Sequence, residues 1–282
     1  MEKKKIGFIG GDKRMVSLYN IIRETGCTPD AYYMDVENSK DKLPHSFDLD
    51  VLIGPVPLCK PAPLLNAKEG YYADVYEVVN KMKPGSVFTA GIIPKDLAQF
   101  ASEKGVSVFD YANTEEFQIL NAEITAEGAI MIALSNGNIT LKDANVLVLG
   151  YGRIGKALCN LLAGFRGDFT VTARKEKDLT YISVNGYKGI HTEDIAKEIH
   201  KFDIIINTIP AIVLTKEVLD RVKQDAIIID LASIPGGTDF EYAEKRGIKA
   251  NHALSLPGKL FNYSASSVIY KILRENSILE SE

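Results

Sequence analysis

Val146-Leu-Val-Leu-Gly150-Tyr-Gly152-Arg-Ile-Gly155 is the segment that decides the fold of this chain. Its four apolar residues predict a buried strand, and the spaced glycines form a Gly-x-Gly-x-x-Gly pattern that opens a helix. The first glycine permits a tight turn, the second lets a pyrophosphate approach the backbone, and the third allows close packing of helix and strand. The N–H groups at the helix N-terminus would face the phosphates. This pattern predicts a dinucleotide-binding domain, with cofactor contacts from Gly150, Gly152, Arg153, Ile154 and Gly155. The alternative is a domain of the same fold whose glycine-rich turn binds nothing.

The turn after the next strand indicates which nicotinamide cofactor the domain takes. Enzymes that use NAD place Asp or Glu about 20 residues after the glycine-rich turn, where it bonds the ribose 2′-hydroxyl. Here the predicted strand 169–173 is followed by Arg174 and Lys175, which would attract the 2′-phosphate of NADP. The sequence therefore favours NADP over NAD. The alternative is a solvated basic turn, with nearby Glu176 or Asp178 as the ribose-binding acid.

Two further loops follow predicted strands of this domain, at the edge where open α/β sheets bind their ligands. The string DIIINTIP places Asn207, Thr208 and Pro210 along the expected ribose and nicotinamide. The string DLASIPGG carries Ser233 and two glycines, whose backbone N–H groups are suited to a carboxylate. Ordinary strand-to-helix turns are the alternative for either loop.

Strands and helices alternate on both sides of the deciding segment, which predicts two Rossmann-like α/β domains with a cleft between them. Residues 113–134 are predicted as one long helix or two helices end to end. The final amphipathic helix, residues 262–274, is expected to fold back across the first domain. We therefore expect a flavodoxin-like N-terminal substrate domain of residues 1–120 with the returning segment 260–282. The dinucleotide-binding domain would then be residues 121–259.

Composition and charge argue against several classes of protein. Hydrophobic residues make up 46% of the 282 residues and charged residues 25%, which is ordinary for a globular protein and untypical of disorder. The formal net charge is −4 and no basic block occurs, so we expect neither nucleic acid nor a membrane as partner. The three cysteines lack metal-ligand spacing, so no metal site is expected.

Candidate catalytic residues lie outside the cofactor motif. Arg14 follows the Gly10-Gly11-Asp12 turn at the carboxyl end of the first predicted strand. There its guanidinium and the backbone N–H groups of the turn could bind a carboxylate. The alternative is a surface Arg14 paired with Asp12. Ser233, in the glycine-containing loop, is a second candidate for the same role.

Thr125, Glu127 and His252 complete the candidates. One interpretation makes Thr125 the N-cap of a helix that begins near residue 126. The other places Thr125 and Glu127 as a polar pair in the cleft. His252 follows the last short strand and is a candidate base. The other histidines, at positions 45, 191 and 200, are expected in loops or at exposed helix ends.

Several strings resemble the A-subunit family of dipicolinate synthase. They are NAEITAEGAIMIAL, NVLVLGYGRIGKAL, DIIINTIP, the N-terminal IGFIGGDKR, and IIIDLASIPGGTDFEYAEKRGIKA followed by LPGK. The resemblance implies a cytoplasmic enzyme component of spore-forming bacteria that acts in sporulation with a flavoprotein-like B subunit. It also implies the oxidation of a small dicarboxylate, a dihydrodipicolinate, to dipicolinate with NADP as hydride acceptor.

On this interpretation the substrate would lie between the turn 10–14, the segment 125–128 and the loop 233–237. Two other functions are also compatible with the sequence. One is a non-catalytic NADP-binding regulatory or scaffold subunit. The other is a dehydrogenase of the 2-hydroxy-acid type, although no late histidine is paired with an acid at the expected place. A homo-oligomer is compatible with the sequence.

Overall fold

The computed structural model describes residues 4–280, and the chain divides into two compact units. Unit 1 comprises Met1–Asn121 and Pro257–Glu282, and unit 2 comprises Ala122–Leu256. Each unit is built on one six-stranded sheet, and all neighbouring strands of both sheets run parallel. The predicted class, an α/β protein with two Rossmann-like units, is confirmed.

The sheet of unit 1 has the strand order β3-β2-β1-β4-β5-β6. Its strands are β1 (Ile6–Ile9), β2 (Asp30–Tyr32), β3 (Ser39–Lys40), β4 (Val51–Ile53), β5 (Val87–Ala90) and β6 (Ser107–Asp110). Its helices are α1 (Lys13–Glu24), α2 (Val75–Asn80), α3 (Lys95–Glu103) and the C-terminal helix Asn262–Glu275, which follows a short helix, Leu256–Leu260. Without the two-residue edge strand β3, the order would be the flavodoxin-like one that we predicted. With it, the order is the Rossmann 3-2-1-4-5-6.

Alternate residues of β1 enter two separate core layers of unit 1. Phe8 packs on the side of α1 and of the C-terminal helix Asn262–Glu275, together with Leu18 and Ile272. Ile9 packs on the opposite side, in the layer that holds residues of α2 and α3. Both side chains are fully buried, as expected for a parallel strand that is covered on both faces.

Helix α4 (Glu115–Asn136) is one continuous helix, so the alternative of two helices end to end is wrong. By length and composition it is the one helix within residues 4–280 that could cross a membrane. Its alanines at 122, 126, 129 and 133 are nevertheless buried along one helical stripe. A core helix with such a packed face passes the same length and hydropathy test.

The sheet of unit 2 has the Rossmann order β12-β11-β10-β7-β8-β9. Its strands are β7 (Val146–Leu149), β8 (Phe169–Ala173), β9 (Lys188–His191), β10 (Ile204–Asn207), β11 (Ile227–Asp230) and β12 (Lys249–His252). Its helices are α5 (Arg153–Phe165), α6 (Glu176–Val184), α7 (Ile195–Glu198), α8 (Lys216–Leu219) and α9 (Phe240–Lys245). The central strands β7, β10 and β11 are buried throughout, which explains their unbroken apolar sequences.

Candidate functional site

The glycine-rich turn of unit 2 has the steric properties that a pyrophosphate requires. Gly150 has φ +98°, and a Cβ there would lie 2.7 Å from Thr208 Oγ1. A Cβ on Gly155 would lie 2.1 Å from the carbonyl oxygen of Gly150, so only glycine lets α5 pack at this distance. A Cβ on Gly152 would meet nothing within 4 Å. The turn is therefore tight on its inner side and open at Gly152, which fits a dinucleotide phosphate.

Two threonines hold this turn to the neighbouring strands. Thr172 is fully buried at the end of β8, and its Oγ1 accepts a hydrogen bond from Gly150 N at 3.1 Å. Thr208 Oγ1 donates to the carbonyl of Leu149 at 2.8 Å. Sequence reasoning missed Thr172, although a polar residue at the end of the apolar string FTVTA is a signal that could have found it.

Helix α5 begins after Gly152 without a side-chain cap, a helix start that suits an anion. Arg153 is exposed and Ile154 half-buried in this first turn. Burial raises the pKa of Tyr151 beside it, which keeps the phenol neutral. The predicted cofactor contacts of the deciding segment therefore lie together at one helix N-terminus.

The turn that follows β8 carries two exposed cations. Ala173 ends the strand in a buried position, whereas Arg174 and Lys175 are exposed. Neither side chain forms an ion pair within residues 4–280. Glu176, the first residue of α6, instead has its Oε1 2.9 Å from His191 Nε2. His191 is the last residue of β9, so our expectation of a loop or an exposed helix end is wrong for this histidine.

Asp230 organises the loop at the end of β11. Its carboxylate is fully buried and accepts four hydrogen bonds. Oδ1 accepts from Asn207 Nδ2 at 2.9 Å and from Ala232 N at 3.0 Å. Oδ2 accepts from Gly237 N at 2.8 Å and from Thr238 Oγ1 at 2.7 Å. Sequence analysis singled out the loop but not the buried acid that holds it.

Asn207 ties this loop to the one that follows β10. Its Nδ2 also donates to the carbonyl of Ile209 at 3.1 Å, and its Oδ1 accepts from Ile209 N at 3.0 Å. A Cβ on Gly237 would lie 2.3 Å from this Nδ2, so the two loops meet where only glycine fits. The amide of Asn207 is thus used inside unit 2, while Pro210 is exposed.

The two loop glycines do not offer their N–H groups to a ligand, which corrects our expectation. Gly236 N donates to the carbonyl of Ser233 at 2.8 Å, and Gly237 N donates to Asp230. The exposed part of the loop is Ser233, Ile234 and Pro235. A ligand here would meet the Ser233 hydroxyl.

His252, the last residue of β12, supports the same loop. Its Nε2 lies 2.9 Å from the carbonyl oxygen of Ala232, and a carbonyl can only accept, so Nε2 carries a proton. The ring stacks on Phe240 with centroids 4.9 Å apart. Nδ1 is the nitrogen that remains for a base.

Arg14 lies at the carboxyl end of β1 and is buried, with 8% of the residue exposed. Its Nε donates to Asp12 Oδ1 at 3.0 Å, and one terminal nitrogen, Nη2, donates to Asp12 Oδ2 at 2.7 Å. Nη2 also donates to the carbonyl of Val56 at 2.6 Å. The pairing with Asp12 agrees with the alternative we named. That alternative placed Arg14 on the surface, however, whereas the residue is buried. The second terminal nitrogen, Nη1, has no acceptor among residues 4–280.

The Gly10-Gly11 turn beside Arg14 is not an anion site of the kind we expected. Gly10 N donates to the carbonyl of Tyr32 at 2.9 Å, and Gly11 N donates to that of Asn66 at 2.7 Å. Both N–H groups are therefore used by the backbone of unit 1. Only the guanidinium of Arg14 remains as a candidate for a ligand here.

Gly258 packs against the Arg14 guanidinium, which explains the glycine of the LPGK string. A Cβ there would lie 2.6 Å from Nε and 2.9 Å from Cζ of Arg14. We expect Gly258→Ala to lower the free energy of unfolding by about 1–3 kcal/mol, because the buried Arg14 guanidinium, which is paired with the partly exposed Asp12, must shift. Urea unfolding followed by circular dichroism measures this loss.

Gly164→Ala is the matched control, because a Cβ there meets nothing within 4 Å and the residue lies inside α5. This exchange should be neutral or stabilising by up to about 1 kcal/mol. Equal stabilities of the two variants would contradict the packing argument.

Thr125 and Glu127 both lie inside helix α4. Thr125 lies in the middle of α4, so its interpretation as an N-cap is wrong, and it is 8% exposed. The residue before the helix, Thr114, accepts a hydrogen bond from Phe117 N on its Oγ1 at 3.3 Å. Glu127 is exposed, and residues two apart on a helix do not share a face.

Comparisons with known proteins identify relatives of both units. Residues 5–112 match the model of the N-terminal domain of the dipicolinate synthase A subunit. Residues 126–233 match the NAD binding domain of D-isomer specific 2-hydroxyacid dehydrogenases. The dipicolinate synthase A subunit of Bacillus subtilis (strain 168) is 31% identical over 95% of this chain and 94% of its own length.

Two solved structures resemble the whole chain. The crystal structure of the dipicolinate synthase A subunit from Bacillus halodurans has a TM-score of 0.86 and 29% identity, over 99% of this chain and 98% of that one. The corresponding dipicolinate synthase structure from Bacillus subtilis has a TM-score of 0.84 and 28% identity, over 99% and 97%.

Proposed function

This chain belongs to the A-subunit family of dipicolinate synthase, and on that premise we propose that it takes part in the NADP-linked oxidation of a dihydrodipicolinate to dipicolinate. Membership of this family implies a partner, the B subunit. We further propose that this partner is flavoprotein-like and that the pair acts in the cytoplasm during sporulation. The reaction removes one hydride and one proton from the ring and leaves both carboxylates in place.

The exposed basic turn after β8 is the observation that carries the choice of NADP. An acid normally binds the ribose 2′-hydroxyl at this position, and here Arg174 and Lys175 stand exposed instead. Arginine binds a phosphate bidentately through its planar fork. The open face at Gly152 and the uncapped start of α5 suit the pyrophosphate. The nicotinamide, when bound, supplies the hydride acceptor.

Aromatisation gives a stable ring, so the protein mainly has to bind and orient the substrate and accept one proton. For the carboxylates we propose the Nη1 of Arg14, since Asp12 and Val56 fix the guanidinium through its other nitrogens. Ser233 is proposed as a weaker hydrogen-bond donor. His252 Nδ1 is the proposed proton acceptor, with water as its alternative; Thr125 and Glu127 stay proposals without a specific role.

An assay with freshly made lysine-pathway precursor, NADP and both proteins of the pair tests the reaction. Dipicolinate is followed by its ultraviolet absorbance, and we expect its formation to exceed the spontaneous rate only when this chain is present. The same rate with and without the chain would overturn the enzymatic proposal. NADP binding without any hydride transfer, even with the partner added, would favour a regulatory role instead.

Arg14→Lys separates substrate binding from cofactor binding. Lysine keeps the charge but loses the planar fork, so we expect the KM for the dicarboxylate to rise about threefold to tenfold. The Kd for NADPH should stay unchanged, because Arg14 belongs to unit 1 and the cofactor turn to unit 2. An unchanged KM in a folded Arg14→Lys variant would contradict the substrate role.

Ser233→Ala is the companion variant, in which the loss of one neutral hydrogen bond is expected to raise KM about twofold to tenfold. It should leave the stability of unit 2 unchanged, because the Ser233 side chain is exposed. A change in stability without a change in KM would assign Ser233 to the loop structure.

A further inference from the structure

The pairing of β8 and β9 brings a histidine next to the basic turn. In this register Ala173 is the Cα partner of His191, and both residues end their strands at the same edge of the sheet. Neighbouring strands lie about 4.8 Å apart, so His191 borders the turn that Arg174 begins. The imidazole is therefore a neighbour of the proposed 2′-phosphate site.

His191 binds the acid that sits closest in sequence to that site. Its Nε2 lies 2.9 Å from Oε1 of Glu176, the residue two positions after Arg174. Of the two acids that follow His191 in sequence, Asp194 is paired with Lys197 at 2.5 Å and Glu193 is exposed. The Glu176 side chain is 82% exposed, and among residues 4–280 the partner of its carboxylate is the His191 imidazole.

The charge of Glu176 bears directly on cofactor choice. A carboxylate beside the adenine ribose favours the 2′-hydroxyl of NAD and repels a 2′-phosphate. A carboxylate released at this point would also pair with Arg174, the cation that the phosphate needs. A hydrogen bond to His191 restrains the acid at the end of β9 and leaves Arg174 unpaired.

From this geometry we propose that His191 is a specificity-determining positioning residue, which favours NADP over NAD by holding the Glu176 carboxylate. This role of His191 rests on the proposed use of NADP. It would keep the Glu176 carboxylate away from Arg174 and from the 2′-phosphate. His191 acts through Glu176 and needs no contact of its own with the cofactor.

A double-mutant cycle on the full chain tests this mechanism, with the Kd for NADPH and for NADH measured by titration. We expect His191→Phe to weaken NADPH about threefold to fivefold and to leave NADH unchanged or tighter, since a partly exposed charge contact has this size. Glu176→Gln should tighten NADPH. In the Glu176→Gln background, His191→Phe should have no further effect on NADPH.

His200→Phe is the matched control, because His200 is exposed and lies in a short turn outside this pair. It should leave both Kd values unchanged. A loss of NADPH affinity from His191→Phe in the Glu176→Gln background would mean that His191 contacts the phosphate itself, and would overturn the proposal.

The outcomes also separate this inference from the proposed cofactor. A wild-type chain that prefers NADPH, with the same NADPH-to-NADH ratio in His191→Phe, leaves the use of NADP intact and overturns the role of His191. A wild-type chain that prefers NADH overturns both.

Discussion

Arg174→Ala is expected to weaken the binding of NADPH about 10–100-fold and to leave the binding of NADH nearly unchanged. A hydrogen bond between charged groups contributes roughly 1.5–3 kcal/mol, which corresponds to this change in Kd. The effect is expected to be specific because Arg174 is exposed and has no ion pair among residues 4–280, so its removal breaks no internal salt bridge. Titration of NADPH and NADH against the variant measures both constants.

Arg221→Ala provides the control for a general loss of positive charge. Arg221 is also exposed in unit 2, but it follows α8 rather than the turn after β8. This exchange should change neither Kd. Equal weakening of NADPH and NADH by Arg174→Ala, or a wild-type preference for NADH, would contradict the assignment of the 2′-phosphate to this turn.

The elements that sequence reasoning predicted are those with strong apolar patterns. The strands β7, β10 and β11 read VLVL, IIIN and IIID and are buried throughout, because parallel strands are covered on both faces. The pair α6 and β9 was missed for the opposite reason. Ile182 is the one buried residue of α6, and β9 is an edge strand with exposed residues, so neither carries a clear period.

Some residues of the candidate site could likewise be predicted from a local sequence pattern, and others could not. The glycines of the deciding segment could be assigned from spacing, because Gly150 and Gly155 meet local steric requirements and Gly152 stands between them in the same short pattern. The local pairing of Arg14 with Asp12 could also be named from sequence, but the bonds of Arg14 to Val56, of Asp230 to Asn207 and of His191 to Glu176 could not, because they depend on which segments meet in space. The carbonyl that Arg14 binds lies 42 residues away, and Asp230 bonds a side chain 23 residues away. Such pairings arise from tertiary packing and leave no local pattern.

The string DLASIPGGTDF, one of those that carry the family resemblance, contains several residues with structural roles. Asp230 accepts four hydrogen bonds, Gly237 fills a position without room for Cβ, and Thr238 is buried with its hydroxyl on Asp230. These residues shape the loop that presents Ser233. A family-specific string can therefore contain residues that hold a loop in shape as well as residues that contact a ligand.

Asp230→Ala should be the most damaging single exchange in unit 2. It removes the acceptor of four hydrogen bonds and takes this acceptor from the donors on Ala232, Gly237 and Thr238, while Asn207 Nδ2 keeps its bond to the carbonyl of Ile209. We expect the free energy of unfolding to fall by about 3–5 kcal/mol, as when one partner of a buried charged network is removed. Urea unfolding measures the loss, and hydrogen exchange at the amides of Ala232 and Gly237 should lose its protection, since both donate to this carboxylate.

Two variants show whether that loss belongs to the Asp230 network. Asp230→Asn keeps the shape but has one acceptor oxygen, so its stability should lie between those of the wild type and Asp230→Ala. Asp239→Ala removes a helix cap, the carboxylate that accepts from Tyr242 N at 3.0 Å at the start of α9, and should lose only about 1 kcal/mol. If Asp230→Ala lost no more than Asp239→Ala, or if amide protection at Gly237 survived, the loop would be held by its backbone alone. Ser233 would then owe its position to the turn itself rather than to the buried carboxylate.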